Sequence, residues 1–227
     1  MLQTYADTLA MFGAPFKNVI RFIDCTICKT CQPKVFPGTA YTGYRKHHGV
    51  KFQAMVLPNG LIGHLASPFI APANDNTVLA ESGLMDAMAR YAIKPGSSPD
   101  DPPEQRFFQI YRDLAYGVSP HILSPYACVS DLSNDEHIWN MTMGSIWISV
   151  EHAFGCMLQD WPYLNAWWKH QILRNAIGIL YTIGILLTNA HGCLWPNLTS
   201  ERYRCPPPSS EQYFHSLEED REEEDSE

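Results

Sequence analysis

Three carboxylates in this chain stand where hydrolytic chemistry would want them. Asp24 closes a short apolar, β-branched run, Val19-Ile20-Arg21-Phe22-Ile23. Asp113 closes a second apolar run that begins at Phe107. Glu151 falls inside a helical pattern from Ser145 to Leu158. Two aspartates at strand ends and a glutamate on a helix supply hard oxygen donors, the kind that hold a divalent cation. The three are far apart in sequence, so the fold must gather them.

The elements that would do so follow in order. Leu2 to Phe12 reads as a short amphipathic helix, and Val19 to Asp24 as the first strand. Gly49 to Leu57 and Leu61 to Ser67 read as two more strands, joined by the hairpin turn Pro58-Asn59-Gly60. Thr77 to Tyr91 has apolar residues at helical spacing, interrupted at Gly83, with Asp75 or Asn76 as its cap. Lys94 to Gln105 is an exposed loop rich in Pro, Ser and Asp. Phe107 to Arg112 is a further strand. A polar lead-in, Ser130 to Thr142, precedes a helix expected from about Gly144 to Leu158. On it Ile146, Val150, Phe154 and Met157 form a core stripe, with Trp147, Glu151 and Leu158 on the adjacent face. Gln171 to Asn189 reads as the last core helix.

Strand with Asp, hairpin strands, helix, strand with Asp, helix with Glu is the order of an α/β domain with a ribonuclease-H-like mixed sheet flanked by helices. The expected division is a short helical segment at 1–18, the ribonuclease-H-like domain at 19–214 and an acidic disordered tail at 215–227.

At 227 residues and 45% hydrophobic, the chain is long enough to bury a full core as one domain of ordinary size. The net charge of −8 is unevenly placed: Glu218 to Glu227 holds eight acids and one base, so the remainder is close to neutral. The acidic balance therefore does not exclude a nucleic-acid partner. The longest apolar run, Ala176 to Leu187, falls short of the roughly 20 residues a spanning helix needs, so a buried core helix and no membrane are expected. Met1 to Pro15 shows no secretory signal, and the seven cysteines are expected to be reduced thiols.

Two further clusters carry chemistry. Cys25, Cys28 and Cys31 suggest a zinc or iron–sulfur site, but a spacing of three on a strand sends Cys28 to the opposite face, and no second cysteine pair follows. Tyr44-Arg45-Lys46-His47-His48, with Lys51 beyond, is the densest basic patch. Arg45, Lys46, His48 and Lys51 are its candidates for phosphate contact.

Several motifs, in order, resemble the DDE superfamily endonucleases of Harbinger-type transposons, particularly fungal members. Phe22-Ile-Asp24-Cys-Thr26 is similar to the family's Phe-Ile-Asp-Gly-Thr. Asn74-Asp75-Asn76 resembles its His-Asp-Ser, and Asp113-Leu-Ala-Tyr116 its Asp-x-Ala-Tyr. Val150-Glu151-His-Ala-Phe154-Gly155 matches its Val-Glu-x-x-Phe-Gly. The segments Tyr44 to Ala54, Val56 to Ile62 and Leu187 to Tyr213 also look like family segments, so the resemblance runs from about Val19 to Phe214.

The resemblance implies that Asp24, Asp113 and Glu151 are the catalytic carboxylates and metal ligands, with Asp75 a further acidic position and a fourth candidate metal ligand. It implies two Mg²⁺ or Mn²⁺ ions, phosphodiester cleavage of DNA by a two-metal mechanism, and a nuclear location. Asp24 would bridge both ions, with Asp113 and Glu151 holding one each. Departures from the pattern are Cys25 for glycine, Asn74 for histidine and Trp147 for the arginine one turn before Glu151. Only a short segment precedes the first strand, so sequence-specific recognition of DNA ends would need a separate DNA-binding subunit. A truncated, decaying or domesticated transposase is the expectation. Its alternative is a catalytically silent domesticated transposase acting as a binding or scaffold protein. A small zinc protein built on Cys25, Cys28 and Cys31 is the third reading.

Overall fold

The computed structural model describes residues 1–112, 119–127 and 131–215, without the side chains of Ser67, Ser149, Val150 and Glu151. Helix α1 (Leu2–Met11) precedes strand β1 (Val19–Lys29). The two-residue β2 (Tyr41–Thr42) leads to β3 (His47–Val56) and β4 (Ile62–Ile70). Helices α2 (Asp75–Glu81), α3 (Leu84–Tyr91) and α4 (Pro103–Arg106) carry the chain to β5 (Gln109–Tyr111) and β6 (Ile122–Leu123). Helices α5 (Asn134–Asp160), α6 (Ile177–Leu194) and α7 (Leu198–Tyr203) follow.

β3 lies antiparallel to β1 from Phe22↔Val56 to Lys29↔Gly49, and β4 lies antiparallel along the other edge of β3. β5 runs parallel to β1, with Phe22 opposite Tyr111, and β6 runs parallel to β5. Three antiparallel strands continued by parallel ones, flanked by helices, make the mixed ribonuclease-H-like sheet that the order of elements predicted. Val19, Ile20, Phe22 and Ile23 of β1 are buried together with Ile110 and Ile122 of the parallel strands. Such a run of β-branched and aromatic residues suits a strand covered on both faces.

β1 is longer than its apolar run suggested. Thr26-Ile27-Cys28 keeps strand chemistry, and pairing with β3 satisfies its backbone groups as far as Lys29. Asp24 is therefore mid-strand rather than at the strand's end. The turn at Pro58-Asn59-Gly60 is as expected: Gly60 adopts φ +81°, and a Cβ there would collide with the Asn197 carboxamide. The break at Gly83 is also as expected, with φ +68° separating α2 from α3. The cap of α2 is Asn74, whose Oδ1 accepts the Asn76 N–H at 2.9 Å, not Asp75 or Asn76.

α5 begins at Asn134, nearly three turns before the start expected near Gly144. Ser133 and Glu136 form a capping box: the Ser133 Oγ accepts from the Glu136 N–H, and the Glu136 carboxylate accepts the Ser133 N–H at 2.8 Å. Of the predicted core stripe, Ile146, Phe154 and Met157 are buried, while the Val150 side chain lies outside the described residues. α6 starts at Ile177 instead of Gln171 because Leu173 takes φ +68°, which a helix interior does not admit. By length and composition α6 could cross a membrane, yet its inner face is built into the sheet. Tyr181 stacks on Phe52 at 4.0 Å, and the Asn189 carboxamide both accepts from Ile62 N–H and donates to Ile62 C=O. α1 adds Tyr5, Ala6 and Leu9 to the same core.

Candidate active site

The described pairing of β1 with β5 stops at Phe22, two residues before Asp24. Beyond it, a cavity of about 440 Å³ opens beside β1, lined by Asp24, Cys25, Thr26 and Ile27. Phe154 of α5 forms one wall, and Tyr44, Arg45 and His47 from the β2–β3 turn form another. Strand alternation puts Asp24 on the face of Phe22 and Thr26, opposite Ala54 in the register. Lys51, opposite Ile27, belongs to the other face. The cavity takes in both sets because it wraps around the β1 edge.

Asp75 reaches this cavity from the first turn of α2 and is held by Lys51 at 2.5 Å. The Lys51 ammonium also donates to Ala73 O at 2.6 Å and is largely buried. Lys51 is thus turned inward, unlike Arg45 and Lys46, which stand exposed at the tip of the turn. The Arg45 guanidinium lies over the Tyr44 ring at 5.2 Å, and Lys46 takes φ 55° to close the turn. His48 is half-buried, edge-on to Tyr41.

Asp113 lies outside the described residues. In sequence it is the second residue after Tyr111, as Asp24 is the second after Phe22, the partner of Tyr111. Arg112, directly before it, is a buried cation. Glu151 is within α5, three residues before Phe154, and its side chain lies outside the described residues. Trp147, one turn earlier, is half-buried against the core, and its indole N–H finds no acceptor among the described residues. Phe154, Tyr44 and the Lys51–Asp75 pair went unnoticed as cavity features at the sequence level. A lysine inside a strand that is otherwise without charged residues but for its leading histidines hinted at burial, though not at Asp75 as its partner.

Among the described residues, no three His, Cys, Asp or Glu side chains converge as a metal would require. The described part of the carboxylate set is thus Asp24, whose oxygens are hard donors suited to Mg²⁺ or Mn²⁺. Asp75 is already neutralised by Lys51. The donor chemistry fits a hard divalent ion and does not fit zinc on thiolates. Cys28 is buried on the face of Tyr181, and burial pushes its thiol up to about 12, against the opposing pull of a Tyr181 hydrogen bond. Cys25 is near Gln53, and the Cys31 Sγ lies 3.3 Å from Trp167 O, so the three thiols do not share one site. The six described cysteines are all free.

Behind the site, Arg21 donates to Met55 Sδ at 3.6 Å, and burial lowers its pKa. Burial lowers the pKa of His64, a backbone hydrogen bond at Ser82 opposes this, and the Arg21 charge lowers it further.

Comparison with known protein families matches residues 23–189 to the family described as DDE superfamily endonuclease. No curated protein and no solved structure matches the chain.

Proposed function

Since the chain belongs to the DDE superfamily endonucleases, we propose that it is a Harbinger-type transposase nuclease that cuts DNA phosphodiester bonds at the Asp24 cavity. The observation that carries the reading is the position of Asp24: a carboxylate on the central strand, in a polar cavity walled by Phe154 of the helix that bears Glu151. The cognate carboxylates are Asp113 and Glu151.

Asp24, Asp113 and Glu151 would hold two Mg²⁺ or Mn²⁺ ions. When bound, such ions activate the attacking oxygen and relieve charge on the leaving oxygen. The chain's own residues do the rest. β1, fixed by β3 on one edge, holds Asp24 in place. Arg45 and Lys46 at the turn tip offer cations to the phosphates on the cavity rim. Phe154 and the buried stripe of α5 fix the helix against β1. Nuclear action and a separate DNA-binding subunit belong to the same proposal, since transposition acts on chromosomal DNA.

One observation favours a second reading, a catalytically silent scaffold. Trp147 packs into the core where the family pattern has a cation, which removes one charge that a phosphate or carboxylate would use.

A supercoiled-plasmid nicking assay with Mg²⁺ and with Mn²⁺ separates the two. Nicking by the wild type that disappears in Asp24→Asn, Asp113→Asn and Glu151→Gln is the expected result. A folded wild type that never cuts DNA with either ion would establish the silent reading instead.

A further inference from the structure

Two long stretches of this chain, Cys25 to Asn74 and Trp161 to Ser200, contain no Asp or Glu. The fold brings them together at the far end of β1. The Cys31 N–H donates to His170 O at 2.8 Å, and the Cys31 thiol lies 3.1 Å from Trp168 O. The Lys29 ammonium sits 4.2 Å from the centroid of the Trp167 ring. Lys29, Lys34, Lys169 and Arg174 are all exposed here, and none has an ion-pair partner among the described residues.

Aromatic faces stand among these cations. Trp168 is 59% exposed, and Trp167 lies edge-on to it at 5.9 Å. The Tyr163 ring is exposed beneath the Lys169 ammonium at 5.9 Å. The turn carrying them is anchored in the core. Leu164, Ala166 and His170 are buried beneath it, and the His170 Nε2 is 3.2 Å from Leu164 O. A groove of about 490 Å³ continues from it between Cys31–Val35 and Gln171–Arg174.

We propose that this surface is a docking platform for a single nucleic-acid strand, in which Trp168 stacks on an unpaired base while Lys29, Lys169 and Arg174 take the flanking phosphates. An exposed indole among cations that make no ion pair among the described residues matches a polymer that is both anionic and made of planar rings. An acidic peptide would satisfy the charges and leave the rings without partners. That the polymer is DNA rests on the nuclease reading above.

β1 connects the platform to the Asp24 cavity, with Asp24 and Lys29 on opposite faces of the strand. Asp24 and Lys29 are five residues apart on β1, which spans about 17 Å at the strand rise. The substrate class on this reading is DNA that presents an unpaired stretch, not uninterrupted duplex.

Metal-free fluorescence anisotropy on the full chain tests this, using a fluorescein-labelled single-stranded oligonucleotide and its duplex. Trp168→Ala should weaken single-strand binding on the order of tenfold, with a smaller effect on duplex, and Trp168→Phe should restore most of it. Lys29→Ala with Lys169→Ala should reduce the salt slope by about 1.4. This pair keeps the test open if Trp168→Ala fails to fold. Unchanged affinity and slope in the folded variants, or a wild type that binds neither oligonucleotide, would overturn the platform. Binding as expected in a chain that never nicks DNA would keep the platform and remove the nuclease. Nicking with variant binding unchanged would do the reverse.

Discussion

The Lys51 ammonium is 2.5 Å from the Asp75 carboxylate and 2.6 Å from Ala73 O, a strut from mid-β3 to the first turn of α2. The two side chains are 11% and 25% exposed, so removing one partner leaves the other largely desolvated. Asp75→Asn and Lys51→Met should each lower stability by about 2 kcal/mol, a buried-pair loss discounted for the exposed part of Asp75. The double variant should cost about 1 kcal/mol less than the two losses combined. Urea unfolding of the four proteins reads this, and strict additivity would mean that the contact carries no coupling.

Stability should fall in mild acid for a stated reason. Burial lowers the pKa of His64, helped by Arg21, and burial lowers that of His121, helped by Arg106. A depressed folded-state pKa means stability that is complete above the unfolded value, near 6.5, and is lost as pH falls through the folded one. The urea midpoint should therefore hold above about pH 6.5 and decline below it. His64→Gln combined with His121→Gln should flatten that decline. An unchanged pH profile in the double variant would assign the acid sensitivity to other groups.

How much of this was legible beforehand depends on whether local chemistry or tertiary pairing decided the outcome. The hairpin at Asn59-Gly60 and the break at Gly83 were readable, because a backbone needing φ > 0 marks itself with glycine. The mixed sheet was readable from the order of elements. The true end of β1 was not, since rungs to β3 rather than β1's own residues carry the strand past Asp24. The start of α5 was written in Ser133-x-x-Glu136, but the polar first turns outweighed that signal. At the site, Asp24 was found by its place on an apolar strand. The inward turn of Lys51 was hidden, because its partner Asp75 lies across a strand and a loop.

Thiol reactivity should sort by burial at the end of β1 and just beyond it. Cys28 is 3% exposed and its pKa is pushed up to about 12 by burial. Iodoacetamide near pH 8 should therefore label the half-buried Cys31 and leave Cys28 until urea is added. The raised pKa also has a stability sign: the folded state keeps the proton longer, so stability is complete below about pH 9 and is lost as pH rises toward about 12. Mass spectrometry of alkylated peptides checks the first statement, and early labelling of Cys28 in the native protein would contradict its burial.

Metal binding should depend on Asp24 and not on Asp75, although both line one cavity. Asp75 already has its counter-charge in Lys51, so replacing its carboxylate removes a strut rather than a ligand. Asp24 sits on the face of Phe22 and Thr26, and its oxygens are the described donors on that side. Calorimetric titration with Mn²⁺ should show binding to the wild type and to Asp75→Asn, and none to Asp24→Asn or Asp113→Asn. Equal loss in Asp75→Asn, with the fold intact by circular dichroism, would make Asp75 a ligand and the Lys51 contact a feature of the metal-free chain. No binding to a well-folded wild type would mean that the carboxylates have lost the geometry cleavage needs, and the scaffold reading would then stand.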